Sequence, residues 1–162
     1  MKFETTRFGA IEVENENILI FPEGPLGFPE CTRFTLIEEE KSHPFMMLQS
    51  LDLPTLAFVV LDPLVVRPDY HFNVTLNDLK LIKATETENL LVYCIVTMAK
   101  EIKDVTVNLQ GPLVINPGTK LGHQFVLVDS DYTTREPLLQ SIESREDNGL
   151  NDSALEPQKR AV

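Results

Sequence analysis

The sequence predicts an all-β fold: an antiparallel β-barrel-like single domain with one or two short helices. Apolar runs are short, several alternate with polar residues, and Pro/Gly turns separate them at even spacing. The chain has 162 residues, of which 43% are hydrophobic, which is enough for one domain with a real core. We place a barrel domain at residues 1–145. Residues 146–162 are polar and acidic, and we expect a disordered tail there.

The predicted strands follow one another along the chain. The first two, residues 2–6 and 11–13, flank Phe8-Gly9-Ala10 as a hairpin. The later ones are short apolar runs, too short for typical helices and several of them ended by proline. They are residues 17–21, 34–38, 45–49, 56–61, 90–98, 105–109, 113–115 and 124–128.

Two helices complete the prediction. Thr75 or Asn77 can cap a helix that begins at Asp78, whose carboxylate suits the positive end of the helix dipole. A second helix is predicted from Pro137, a good first-turn residue, through about Arg145, because apolar residues recur there at helical spacing.

A Pro/Gly-rich corner follows the third predicted strand. Residues 21–29 read FPEGPLGFP and contain three prolines, two glycines and two phenylalanines. That density is turn chemistry, but flexible linkers rarely contain Phe and Leu. The corner therefore either packs on the core or forms a surface for a partner, and its composition allows Phe21 to point inward and Phe28 outward.

Charge excludes several classes of partner. The formal net charge is −11, which disfavours nucleic acid and anionic membranes, because both are bound through Lys and Arg. The start of the chain has no apolar signal segment and no apolar run is long enough to span a membrane. Cys31 and Cys94 form no metal or redox motif. We therefore expect a reduced, soluble, cytoplasmic protein.

The residues that carry chemistry do not form a catalytic or cofactor-binding motif. His43, His71 and His123 are isolated in sequence, whereas metal ligands usually cluster. Asp129-Ser130-Asp131 lacks the glycine and terminal Glu of a calcium loop, so it is read as an acidic turn. No nucleophile elbow or phosphate-binding glycine loop is present. We therefore expect no enzyme activity, no cofactor and no metal.

Several motifs, taken together, resemble the FliW family of bacterial flagellar assembly factors. The resemblance covers about residues 2–139 and rests on the order and spacing of seven segments. They are ETTRFG (4–9), ILIFPEGPLGF (18–28), LQS (48–50), LAFVVLDP (56–63), PDY (68–70), NLQGPLVIN (108–116) and DSDYTTREPLL (129–139).

The resemblance implies a β-barrel-like domain without catalysis that binds two proteins. One is CsrA, a small RNA-binding regulator that represses flagellin translation, and the other is flagellin itself. While flagellin accumulates it occupies the FliW-like protein, and once flagellin is secreted the freed protein binds CsrA and relieves the repression. Such a switch requires negative coupling between the partners, and a shared surface is its simplest form.

Acidic and aromatic turn residues are our predicted partner surface, because they lie in corners rather than in strand interiors. An ordinary structural role in turns is the alternative for each of them. They are Glu23, Phe28, Asp69, Tyr70, Asp129 and Tyr132.

Two other functional classes stay open from the residues alone. Small antiparallel barrels also bind flavin in oxidoreductases, although the Lys and Arg residues that a flavin phosphate needs are sparse here. A generic export chaperone that binds helical segments in an apolar groove is the second.

Overall fold

The computed structural model describes residues 1–87 and 89–139. Within them the chain forms eleven strands, one α-helix and four short 3₁₀ turns. The strands are β1 (Lys2–Thr5), β2 (Gly9–Glu12), β3 (Leu19–Ile20), β4 (Arg33–Glu38), β5 (Met46–Ser50), β6 (Ala57–Leu61), β7 (Leu91–Thr97), β8 (Thr106–Val107), β9 (Leu113–Asn116), β10 (Leu121–Gln124) and β11 (Glu136–Pro137). The helix is α1 (Leu76–Leu81), and the 3₁₀ turns are Asn15–Asn17, Glu40–Ser42, Pro63–Val65 and Ile102–Asp104.

Seven strands close into a barrel, which confirms the predicted fold class. The ring runs β3-β4-β5-β6-β7-β9-β10 and returns to β3, because β7 pairs with both β6 and β9. Every pair in the ring is antiparallel except β3–β10, which is parallel at Leu121 and Ile20. Strands β8 and β11 extend the sheet from β7, and β1 and β2 form a separate hairpin.

The core consists of two clusters on the two faces of this sheet. Alternate residues of β7 contact different clusters: Val92 and Cys94 belong to one, and Tyr93 packs against the other. This alternation follows from the two-residue period of a strand. The cluster inside the ring contains Phe21, Phe34, Leu48, Val60, Leu113 and Ile115. The outer cluster lies under the chain between β6 and β9 and includes Tyr70, Ile82, Val107 and Leu109.

The predicted internal helix is confirmed together with its cap. Thr75 Oγ1 accepts the backbone N–H of Asp78, and the Asp78 carboxylate accepts the N–H of Thr75. This reciprocal capping box satisfies two backbone donors that a helix otherwise leaves unpaired. No helix in residues 1–87 or 89–139 has the length and apolarity needed to cross a membrane.

Three predicted elements differ from the structure. The hairpin forms, but Gly9 begins β2 and the turn is made by residues 6–8. The strand predicted at 124–128 lies earlier, at β10, where Gly122 and a histidine hide the expected apolar pattern. Pro137 does not begin a helix but pairs with Thr106 in β11; Leu138 and Leu139 then have helical backbone. The rest of the predicted second helix and the predicted tail lie outside the described residues.

Candidate functional site

An open groove of about 680 Å³ lies between two irregular segments of the chain. One segment, residues 67–75, leads from β6 to α1, and the other, residues 126–132, follows β10. We call it the acidic groove. Three of the six predicted partner residues line it, Asp69, Asp129 and Tyr132, and the ring of Tyr70 packs against the ring of Tyr132.

Two tyrosines hold the segments of the acidic groove together. Tyr70 is 4% exposed, and its hydroxyl donates to the carbonyl of Leu109 at 2.7 Å. Burial raises the pKa of this hydroxyl far above its ordinary value. The Tyr132 ring lies 4.6 Å from the Tyr70 ring, and the Tyr132 hydroxyl accepts the backbone N–H of His71 at 3.1 Å. The two segments therefore form a preorganised wall.

The rim carries an excess of carboxylates. Arg67 Nε donates to Asp69 Oδ1 at 3.2 Å, and this hydrogen bond holds the pKa of Asp69 below its usual value. The same guanidinium lies 5.5 Å from the centre of the Tyr132 ring. Asp129 and Asp131 are exposed and form no salt bridge within the described part of the chain. Three carboxylates thus stand against one guanidinium.

Two valines give the acidic groove an apolar side. Val126 is 51% exposed and Val128 is 76% exposed. Their neighbours Phe125 and Leu127 donate backbone hydrogen bonds to Pro112 and Gln110, which fixes the segment in an extended form. Large apolar side chains held open to solvent beside charges are typical of a protein-binding surface.

The structure corrects the role that we predicted for Tyr70. With so little exposed surface, its side chain cannot be an interface anchor and instead supports Tyr132 from below. Tyr132 is half-buried, whereas Asp69 and Asp129 are exposed. A partner contact through these three residues stays a prediction.

Glu23 and Phe28 lie apart from the acidic groove, on the Pro/Gly corner. Phe28 is half-buried, and its ring meets the Phe58 ring edge-on with centroids 5.5 Å apart. The exposed Glu23 carboxylate lies 3.1 Å from Nδ1 of His123. The corner is itself fastened to β10, since the N–H of Leu26 donates to Oε1 of Gln124 at 2.8 Å.

Sequence reasoning missed Arg67, Val126 and Val128 as parts of the site. Arg67 stands two residues before Asp69, a spacing that allows an ion pair within one turn. Val126 and Val128 alternate with the inward Phe125 and Leu127. This alternation predicts a strand and does not by itself indicate an exposed apolar surface. The sequence pattern that could have indicated these residues is an apolar face that an acidic turn follows directly.

No metal or redox centre is evident in the described residues. Among residues 1–87 and 89–139, no three His, Cys, Asp or Glu side chains converge as a metal site would require. Cys31 and Cys94 are both free and buried.

Comparisons with known proteins agree with the geometry. The model of the FliW protein family matches residues 2–138. The chain is 44% identical over 139 residues to the flagellar assembly factor FliW of Natranaerobius thermophilus, covering 85% of this chain and 92% of that one. It is 40% identical over 159 residues to the protein of the same name from Geotalea uraniireducens, covering 98% and 96%.

A solved structure has the same fold. The crystal structure of a flagellar assembly factor FliW superimposes with a TM-score of 0.80 and 36% sequence identity, covering 85% of this chain and 96% of that chain. Both the sequence and the barrel thus match the same family over nearly the whole described domain. The chain belongs to the FliW protein family.

Proposed function

We propose that the protein is a non-catalytic flagellar assembly factor that binds a CsrA-type RNA-binding regulator and relieves its repression of flagellin translation. Flagellin is the second partner, and the two compete for the protein in the cytoplasm. The observation that carries the proposal is the acidic groove, an amphipathic and preorganised surface in a member of this family.

The charge of the acidic groove suits a regulator that binds RNA. A protein that neutralises phosphates presents Lys and Arg side chains, and these are complementary to Asp69, Asp129 and Asp131. Exposed pairs of this kind contribute about 0.2–1 kcal/mol each. Their larger effect is to accelerate and orient the encounter, and this effect weakens with salt.

The apolar side of the groove supplies affinity that salt does not remove. Val126, Val128 and the half-buried ring of Tyr132 can each lose surface to a partner, at about 25 cal/mol for every Å² of apolar area buried. Because the two tyrosines already fix the groove, little ordering accompanies binding.

A switch between two partners follows from linkage. If flagellin weakens regulator binding by some factor, the regulator weakens flagellin binding by the same factor. Secretion of flagellin then releases the protein to the regulator. A flavin enzyme is less well supported, because the groove presents three carboxylates where a flavin phosphate would need cations.

Reversal of one charge tests the acidic groove. We expect Asp129→Lys to weaken binding of the purified CsrA-type regulator about three- to tenfold, which is the range that one or two exposed charge pairs supply. The slope of affinity against salt should also fall. Isothermal titration calorimetry at low and high salt measures both quantities. Asp129 is the better choice because changing Asp69 would also break its hydrogen bond to Arg67.

Glu16→Lys is the matched control, since it makes the same charge change at an exposed residue in the first 3₁₀ turn. It should leave both affinity and salt slope unchanged. An unaltered affinity of Asp129→Lys at low salt would show that the regulator does not bind in this groove. Failure of the parent protein to bind the regulator at all would overturn the proposed function itself.

A further inference from the structure

A second groove, of about 310 Å³, lies on a different part of the barrel and shares no lining residue with the acidic groove. Three of the four methionines of the chain line it: Met46 and Met47 from β5, and Met98 just after β7. We call it the methionine groove. Its other apolar walls come from Ile37, Phe45 and Val59.

Strand pairing explains why Met47, Val59 and Met98 meet on one face of the sheet, whereas Met46, the neighbour of Met47 in β5, packs against the inner cluster. Strands β5, β6 and β7 are neighbours, with Met47 opposite Val59 and Val59 opposite Val96, two residues before Met98. Met98 is 51% exposed, and Met46 and Met47 are half-buried. Methionine side chains are unbranched and polarisable, and surfaces built from them can reshape around varied apolar side chains.

The rim of the methionine groove carries two cations and one carboxylate, because Arg7, Lys41 and Glu39 all line it. Arg7, at the turn of the β1–β2 hairpin, and His43 are both exposed and border the groove together with Lys41. Lys41 Nζ lies 3.6 Å from Glu39 Oε2. The Arg7 guanidinium forms no salt bridge with any residue in the described ranges. The lining of this groove thus holds one more cation than carboxylates, in a chain with a net charge of −11.

We propose that the methionine groove binds a partner protein through an amphipathic segment whose apolar side chains are flanked by carboxylates. One or two large apolar side chains would enter the groove among the three methionines. A carboxylate beside them would accept paired hydrogen bonds from Arg7, an arrangement that fits the fork of a guanidinium. The partner chemistry is thus opposite to that of the acidic groove.

Two grooves of opposite charge have a consequence for competition. A basic partner at the acidic groove and an acidic, apolar segment at the methionine groove can occupy the protein at the same time. Negative coupling between them would then have to pass through the barrel, because neither partner would cover the other's contacts.

Methionine methyl signals provide a direct test. The full chain would be labelled with ¹³C at the methionine methyl groups and titrated with two synthetic helical peptides of about 16 residues. Both peptides carry the same leucine face, and their polar faces carry either Glu or Lys. We expect the Glu peptide to shift the signals of Met46, Met47 and Met98. Met1 serves as an internal control, since it lies at the opposite end of β1 from Arg7 and does not line the groove.

Charge reversal on the rim completes the test. We expect Arg7→Glu to weaken the Glu peptide about tenfold, which corresponds to the loss of about one charge-assisted pair. Lys2→Glu makes the same charge change at an exposed position of the same hairpin and should leave the peptide affinity unchanged. Urea unfolding would establish that both variants are folded.

Three results would overturn the proposal. They are no methyl shift at millimolar Glu peptide, equal binding of the Glu and Lys peptides, and equal weakening by Arg7→Glu and Lys2→Glu. None of these results bears on regulator binding at the acidic groove.

Discussion

The Pro/Gly corner and the acidic groove contain the same kinds of residue, aromatic and acidic side chains in turns, yet the barrel uses them differently. In the corner, Phe21 is fully buried and Phe28 packs against Phe58. In the acidic groove, the rings of Tyr70 and Phe72 are buried, whereas two valines, Tyr132 and three carboxylates face solvent or border it.

The difference shows what distinguishes a structural turn from a candidate binding surface. The corner closes one end of the inner cluster, so its aromatic rings pack against that cluster. The acidic groove sits on the outer cluster, where two buried aromatic rings, Tyr70 and Phe72, support a wall that is open to solvent. Aromatic residues in a turn therefore indicate packing first, and a partner surface requires apolar side chains that the core leaves exposed.

The largest expected effect is in the corner, at Gly24. Its φ of +68° lies in the left-handed region, and an added Cβ would meet the carbonyl oxygen of Phe28 at 2.1 Å. We expect Gly24→Ala to lower the free energy of unfolding by about 3–5 kcal/mol, combining backbone strain with a clash against main chain. Urea denaturation followed by circular dichroism measures this change.

Gly27→Ala is the matched control, because Gly27 also has a positive φ, +89°, but an added Cβ meets nothing within 4 Å. It should lower the free energy of unfolding by only about 1–2 kcal/mol, the strain term alone. Equal effects at the two glycines would mean that the corner is not closely packed around Gly24, and the contrast with the acidic groove would fail.

The next effect is expected at the floor of the acidic groove. Tyr70→Phe leaves the buried carbonyl of Leu109 without its hydrogen bond, and we expect a loss of about 1–3 kcal/mol in the free energy of unfolding. Tyr132→Phe removes a hydroxyl that accepts from the N–H of His71 at an exposed site. Water can replace that bond, so the expected loss is below about 0.5 kcal/mol.

Thermal or urea unfolding of both tyrosine variants would show whether Tyr70 contributes more to the free energy of unfolding than Tyr132 does. Similar losses at Tyr70 and Tyr132 would contradict the division of the groove into a structural floor and an open face.

An expected effect smaller than that at Tyr70 depends on pH and lies where the chain leaves the corner. The Asp52 carboxylate accepts the backbone N–H groups of Thr32 and Arg33 and also Nε of Arg33. Burial alone would raise the pKa of Asp52, but these hydrogen bonds and the Arg33 charge outweigh it, so the pKa lies below its ordinary value. The stabilisation is thus present above the unfolded-state pKa of about 3.9 and is lost as pH falls through the lower folded-state pKa.

We expect Asp52→Asn to lower the free energy of unfolding by about 1 kcal/mol at neutral pH, since the amide oxygen keeps part of the hydrogen bonding. The difference from the parent protein should shrink below about pH 4. Urea titrations at several pH values would follow it, with Glu16→Gln as an exposed control. A difference that stays constant down to pH 2 would show that the charge of Asp52 is not involved.

Local sequence was enough to predict most of the barrel. The short apolar runs become β4, β5, β6, β7 and β9, and the Thr75–Asp78 pair specifies where α1 begins. The sequence did not predict strand β10, because a contact with a distant part of the chain restricts which residues the strand can contain. The Phe21 ring lies 2.7 Å from where a Cβ of residue 122 would be, so only glycine fits there. A local pattern cannot reveal a contact made a hundred residues away.

The candidate site was predictable in part. The turn sequences singled out Asp69, Asp129 and Tyr132, which the fold brings to one groove. The burial of Tyr70 could not be predicted, because it depends on a hydrogen bond to the distant carbonyl of Leu109. The separate position of Glu23 and Phe28 depends on how the barrel closes. The residue types in the turns thus indicated the candidate site, and the strand topology determined which of these residues lie in it.

The parallel pairing of β3 with β10 also bears on when, during synthesis of the chain, the barrel can close. It joins Ile20 to Leu121, and nearby Leu26 bonds Gln124 across 98 residues of chain. Contacts this remote require closure of a long loop before they stabilise anything, and chains that depend on them fold slowly. A nascent chain therefore cannot complete its barrel until residues 121–124, about three-quarters of the way along the 162 residues, have been synthesised.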